Sequence, residues 1–121
     1  MDMWTFTLFL EDVAPSMELI ETRVFLDRNN AGRAGILSEI GRFGSLSEAQ
    51  KWLNMVPVDD FLGEISGELD IDSPQIEKIR DIYARSWLAI ASNLGADPDS
   101  LSVSVLRDAE FGDVIFRLEQ K

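Results

Sequence analysis

Residues 73–95, SPQIEKIRDIYARSWLAIASNLG, decide the fold of this chain because their apolar side chains recur at helical spacing. The recurring residues are Ile76, Ile79, Tyr83, Trp87, Ile90 and Leu94. Steps of three or four residues place all of them on one face of an amphipathic helix. Ser73 before Pro74 is typical of a helix start, and Gly95 is typical of the position just beyond a helix end. We therefore predict a long helix here, with Trp87 in the core.

The two ends of the chain carry strand patterns. In the tail, Leu101, Val103 and Val105 alternate with serines, and residues 114–119 alternate in the same way, so that residues 108–113 would join a hairpin. Residues 4–10, WTFTLFL, are rich in aromatic and β-branched side chains and predict a first strand. Strands at both ends with helices between them predict an α+β fold. Its antiparallel sheet would have four to five strands, with about three helices packed on one face.

The first half of the chain is harder to assign. We predict a helical turn near residues 16–21 and then a hairpin that joins a strand over 22–28 to a strand over 36–43; a single helix over 16–28 is the main alternative. Ser47 predicts the start of a helix that ends before Pro57, with Ala49, Trp52 and Leu53 turned inward. Residues 58–69 repeat apolar side chains at helical spacing and predict a second helix.

Composition limits the possible functions. The 121 residues suit a single domain, 1–121, and carry 22 acidic and 11 basic side chains, for a net charge of −11. This charge argues against direct binding to nucleic acid or to an anionic membrane. The chain has no Cys and no His, which excludes disulfides, thiolate chemistry and the usual general base. We see no targeting or membrane-spanning segment and expect a cytoplasmic location.

The strongest local charge lies between Trp52 and Glu77, where the sequence has seven carboxylates and no Lys or Arg. Three of them, Asp60, Glu64 and Glu68, are four residues apart and would form one ridge on the second helix. Like charges at this spacing weaken a helix by about 0.2–0.5 kcal/mol per pair. The segment therefore either binds a basic partner or is a well-hydrated surface. We take Asp60, Glu64, Glu68 and Asp70 as the candidate partner-binding residues.

The sequence gives weaker support to a metal site or to an enzyme active site. Asp70-Ile-Asp72 opens like a calcium-binding EF-hand loop, but Pro74 and Gln75 depart from that pattern and helix capping explains the same residues. The glycines match no phosphate-binding loop, and the serines lack a His partner. A carboxylate- or Mg²⁺-dependent enzyme remains an alternative. We expect no catalytic residue, no cofactor and no metal.

These observations favour a small non-catalytic domain that binds a basic protein, such as an inhibitor or immunity protein that neutralises a toxin or enzyme. A nucleic-acid mimic of the phage type, which blocks a host defence nuclease, is the alternative. A mimic would spread its charge along an extended surface, because phosphates repeat about every 3.4 Å on each DNA strand. The concentration of charge in one segment favours the first hypothesis. We expect a monomer or a weak homo-oligomer.

Overall fold

The computed structural model describes residues 3–58, 72–110 and 112–121, except for the side chains of residues 4–6 and 8. The described helices are α1 (Met3–Val13), α2 (Gly32–Ile40), α3 (Leu46–Leu53) and α4 (Pro74–Asn93). The described strands are β1 (Ser16–Ile20), β2 (Arg23–Asp27), β3 (Met55–Pro57), β4 (Leu101–Arg107) and β5 (Val114–Gln120). A short 3-10 turn, Pro98–Ser100, precedes β4. Within these residues, no helix combines the length and the apolar character needed to cross a membrane.

The strands form two antiparallel sheets. One is the hairpin of β1 and β2, and the other has the order β3-β5-β4, with β5 in the centre. The predicted α+β class is confirmed, and the described strands number five. The predicted C-terminal hairpin is confirmed with Val103 opposite Leu118 and Val105 opposite Phe116.

The β1–β2 hairpin is buried on both faces. Met17, Val24 and Leu26 face the main core, which also contains α4 and the three-stranded sheet. Ile20 and Phe25 point the other way, into a smaller cluster with α2 and α3. Burial on both sides explains why Val24-Phe25-Leu26 is a continuous apolar run and not an alternating one.

The predicted long helix is confirmed as α4. The Ser73 hydroxyl accepts a hydrogen bond from the Ile76 amide at 3.3 Å, and Gly95 follows the helix end with φ of 103°. This left-handed conformation favours glycine. Trp87 is fully buried, as predicted. The rings of Tyr83 and Phe116 pack in a T-shaped arrangement, with centroids 4.8 Å apart.

The prediction of a strand over residues 4–10 is wrong, because these residues belong to α1. The end of α1 is held by α4. Trp87 Nε1 donates to the Asp12 carbonyl at 2.9 Å, and the Ser86 hydroxyl donates to the Val13 carbonyl at 2.5 Å. These side chains satisfy two carbonyls that a helix end leaves without partners. The apolar sequence of this segment is therefore used for helix packing instead of strand pairing.

The predicted hairpin is also wrong in its position. Residues 16–20 form β1 and pair with β2 through a two-residue turn at Glu21 and Thr22, where Glu21 has φ of 59°. The predicted partner strand over 36–43 lies instead largely in α2. Asp27 promotes this helix, because its carboxylate accepts hydrogen bonds from the amides of Ala31 and Gly32 at 2.8 and 2.9 Å.

The helix predicted to start at Ser47 starts two residues earlier. Ser45 is the N-cap of α3, and its hydroxyl accepts a hydrogen bond from the Glu48 amide at 3.1 Å. Ala49 is buried as predicted, but Trp52 is 52% exposed, so its assignment to the core is wrong. Pro57 lies in β3 and does not end α3. Of the second helix predicted over 58–69, only Val58 is described; it is buried and follows β3, and the rest lies outside the described residues.

Candidate binding surfaces

The four predicted partner-binding residues, Asp60, Glu64, Glu68 and Asp70, lie outside the described residues. The structure does show the residues on either side of their segment. Val58 is buried, and its amide donates to the Val114 carbonyl at 3.0 Å. Asp72 is exposed and lines a cleft beside α4 and β4.

The charges of the chain are unevenly distributed along the sequence. Residues 59–71 contain five carboxylates and no basic residue, while all eleven basic residues lie in the described part. Several of those basic side chains are already paired. Arg80 contacts Asp81 at 2.7 Å, and Arg117 contacts Glu119 at 2.7 Å. The negative charge of residues 59–71 therefore has no counter-charge within its own segment.

The arginines between residues 23 and 42 form contacts within the fold. Arg28 lies 3.5 Å from Asp12 on α1, and Arg42 lies 3.5 Å from Glu39. Arg33 donates to the Leu19 carbonyl at 2.7 Å. The contact of Arg28 with Asp12 ties the hairpin to α1, and the contact of Arg33 with Leu19 ties it to α2.

Side-chain amides cover the outer edge of β2. Asn54 Oδ1 accepts from the Leu26 amide at 2.9 Å, while its Nδ2 donates to the carbonyls of Val24 and Leu118 at 2.9 and 3.2 Å. Gln120 Oε1 accepts from the Val24 amide at 3.0 Å. These contacts join the two sheets. Sequence analysis missed them, because an isolated Asn or Gln carries no periodic signal.

Gln50 extends the same network from α3. Its Nε2 donates to the Val24 carbonyl at 3.0 Å and to Gln120 Oε1 at 2.7 Å. Its Oε1 accepts from Arg23 at 2.8 Å. Gln50 is buried, so its amide is fully used in linking α3 to both sheets.

The outer edge of β3 is protected in another way. The Leu118 amide donates to the Asn54 carbonyl, and the Val58 amide donates to Val114, so residues 54 and 58 face β5 and Pro57 faces outward. A proline at an outward position offers no N–H group to an incoming strand. This edge therefore discourages pairing with another chain.

The outer edge of β4 is different. The Lys121 amide donates to the Ser100 carbonyl, and the Asp108 amide donates to Asp113, which sets the even-numbered residues toward β5 and the odd-numbered ones outward. Arg80 covers one outward group by donating to the Val103 carbonyl at 3.3 Å. A cleft of about 390 Å³ runs along this edge, between β4 and the start of α4.

A second surface surrounds Trp52. Its indole N–H donates to Glu48 at 3.4 Å, and its ring lines a groove of about 430 Å³ between α2, α3 and the end of β2. Leu37 on α2 is also 47% exposed. Exposed tryptophan is enriched among the residues that contribute most to protein interfaces.

No protein-family model matches this chain. Nor does it have a significant match among curated proteins or solved structures. Among the described residues, no group of three or more Asp or Glu side chains is placed to hold a metal ion.

The fold shifts the pKa values of Glu119 and Tyr83. A hydrogen bond from Arg117 lowers the pKa of the Glu119 carboxyl, with a smaller contribution from the Ser104 hydroxyl. Burial raises the pKa of the Tyr83 hydroxyl, and the Asp12 carboxylate raises it further. Both shifts follow from contacts within the fold.

Proposed function

We propose that this chain is a small, non-catalytic, acidic domain that captures a basic protein, in the manner of an inhibitor or immunity protein that neutralises a toxin or enzyme. The observation that carries the proposal is the concentration of charge in residues 59–71, with five carboxylates and no basic residue. A concentrated field of one sign accelerates the encounter with a partner of opposite charge.

The surface around Trp52 supports the same proposal. Charge alone gives fast association but short residence, and a few apolar anchors lengthen the lifetime of a complex. Trp52 and Leu37 are large apolar side chains that remain exposed on neighbouring helices. The domain therefore has both kinds of group that a protein inhibitor uses.

The test uses the products of neighbouring genes as candidate partners, because an inhibitor and its target are commonly encoded together. Asp60→Lys combined with Glu64→Lys is expected to abolish capture of the partner and inhibition of its activity, with little change in the thermal midpoint. A control pair, Asp99→Lys with Glu110→Lys, makes the same change in net charge at two exposed positions elsewhere in the chain. It is expected to retain most of the binding.

Unchanged capture by the Asp60/Glu64 variant would overturn the acidic interface. Equal loss in both variants would show that net charge alone matters, not this segment. The range of partners separates the two kinds of inhibitor. Binding to one cognate protein favours an immunity function, while competition with DNA for many DNA-binding enzymes favours a nucleic-acid mimic.

We propose further that the domain acts in the cytoplasm as a monomer or weak homo-oligomer. A net charge of −11 on 121 residues disfavours the close approach of identical copies. Sedimentation at low and high salt tests this, because screening would promote any self-association that charge repulsion prevents.

A further inference from the structure

The outer edges of the strands in this fold differ in how completely their backbone groups are covered. Amide side chains cover the outer edge of β2, and Pro57 protects the outer edge of β3. Arg33 covers the Leu19 carbonyl on the outer side of β1. Natural sheets block their edges because an unpaired row of N–H and C=O groups pairs readily with another chain.

The outer edge of β4 is covered only in part. Leu101 donates its amide to the Pro98 carbonyl, and the Val103 carbonyl accepts from Arg80. The next outward residue is Val105, at the centre of the edge. Its amide and carbonyl point away from β5, and neither has a hydrogen-bond partner among the described residues.

Acidic side chains line the cleft beside this strand edge. Asp72 and Glu77 line the cleft beside Val103 and Val105, and both are exposed. Arg80 is the basic residue of the cleft, and its guanidinium is paired with Asp81 at 2.7 Å. A chain that entered the cleft would therefore meet unpaired backbone groups on one side and carboxylates on the other.

We propose that the outer edge of β4 around Val105 is a strand-addition site that takes an extended segment of the basic partner, with Lys or Arg at alternate positions. The positive charge expected of the partner's segment rests on the proposed function, in which the partner is basic. Its extended conformation is inferred from the outward backbone groups of β4. Side chains of an added strand alternate between the two faces of a sheet, so every second residue lies on the side of Asp72 and Glu77. Main-chain hydrogen bonds would give affinity, and the alternating cations would give specificity.

The probe is a synthetic peptide of about nine residues in which Lys alternates with Thr, a length typical of a single strand. Binding is expected to slow hydrogen exchange at the Val105 amide by about tenfold or more, as one new hydrogen bond forms. The amides of Ser104 and Leu106 already face β5 and are expected to change little. A peptide with Glu in place of Lys is expected not to bind.

Two variants sharpen the test. Val105→Pro removes the outward N–H group and leaves the ladder to β5 intact, so peptide affinity is expected to fall by about threefold to tenfold. Glu77→Lys keeps the strand edge but replaces one of the two carboxylates beside it with a cation, and it is expected to weaken binding by a similar factor. Glu21→Lys makes the same charge change in the β1–β2 turn and is expected to bind the peptide as the wild type does.

Absence of protection at Val105, or equal binding of the Glu peptide, would overturn the proposal. Should Val105→Pro fail to fold, the exchange measurement on the wild type and the Glu77→Lys variant still decide the outcome. Failure here is distinguishable from failure of the proposed function. If the peptide leaves Val105 unprotected while Asp60→Lys with Glu64→Lys abolishes partner capture, only the strand-addition site is wrong.

Discussion

At the scale of single residues, Asn54 links the two sheets and is fully buried. Replacement by Leu would keep the volume but leave the Leu26 amide and the Leu118 carbonyl without their partner. The Val24 carbonyl would retain its hydrogen bond from Gln50. Two buried polar groups without partners are expected to lower the free energy of unfolding by about 2–4 kcal/mol, measured by urea denaturation.

Asn93 provides the control for this prediction. It is exposed near the end of α4, so Asn93→Leu is expected to change the free energy of unfolding by less than about 0.5 kcal/mol. Similar stability losses in the two variants would show that the amide bridge between the sheets contributes nothing specific.

Glu119 gives the chain a pH-dependent contribution to stability. Hydrogen bonds from Arg117 lower the pKa of its carboxyl in the folded state, while the unfolded side chain titrates near its usual value of about 4.3. The folded state therefore gains stability above about pH 4.3 and loses it as the pH falls through the lower folded value.

The substitution Glu119→Gln removes this contribution. Because Glu119 is partly exposed, the wild type is expected to be more stable at neutral pH by no more than about 1 kcal/mol. This difference is expected to shrink as the pH falls below about 4, in thermal melts of both proteins. A difference that stays constant from neutral to acidic pH would contradict the prediction.

At the scale of secondary-structure elements, the start of α3 has two candidate N-cap residues, Ser45 and Ser47, which lie two positions apart. The Ser45 hydroxyl accepts a hydrogen bond from the Glu48 amide, whereas Ser47 is an exposed residue in the first turn. Ser45→Ala is expected to cost about 1 kcal/mol of stability. Ser47→Ala is expected to be neutral or slightly stabilising, because Ala has the higher helix propensity. A larger loss at Ser47 in denaturant titrations would place the cap where sequence analysis put it.

The elements that sequence predicted well are those with a long, consistent pattern. In α4 the apolar spacing, the Ser73 cap and Gly95 all indicate the same boundaries, and the structure confirms them. The alternation of Leu101, Val103 and Val105 likewise extends over a whole strand. Agreement between several local signals is what makes such assignments reliable.

The wrong assignments came from short apolar runs. Residues 4–10 have strand propensity, but α1 is held through hydrogen bonds from Ser86 and Trp87, which lie far away in the sequence. Propensity is weak enough for such tertiary contacts to override it. In α2, Ile36 and Ile40 are four residues apart and both contact the smaller cluster, a helical signal that the surrounding glycines obscured.

The candidate sites also differ in whether the sequence alone reveals them. A run of carboxylates such as Asp60, Glu64 and Glu68 is visible in the sequence, because charge is a property of each residue type. The open edge at Val105 is not visible, because it depends on which side of the strand faces β5. The sequence therefore describes a candidate surface by its charge, whereas the structure also shows which backbone groups of β4 point away from β5.

At the scale of the whole molecule, the two hydrophobic clusters differ greatly in size. The main cluster contains fifteen buried residues of the described chain, and the cluster beneath α2 and α3 contains four. Within α2, only Ile36 is buried, and the start of the helix is held by the Asp27 carboxylate and not by its N-cap residue Ala31. The free energy that holds α2 in place is accordingly a small part of the total.

This difference predicts two levels of protection in native-state hydrogen exchange. Regions with few buried contacts open locally at a lower free energy than the global unfolding of the molecule. The amides of residues 36–40 are expected to exchange through such local openings, which depend only weakly on low concentrations of denaturant. The amides of Phe116 and Leu118, in the central strand of the main core, are expected to exchange only through global unfolding, with a steep denaturant dependence. The substitution Ile36→Ala should then lower protection in α2 more than in β5, because Ile36 is the one buried side chain of α2. Identical protection and denaturant dependence in α2 and β5 would mean that the two clusters unfold as one unit, so that the surface around Trp52 is as rigid as the core.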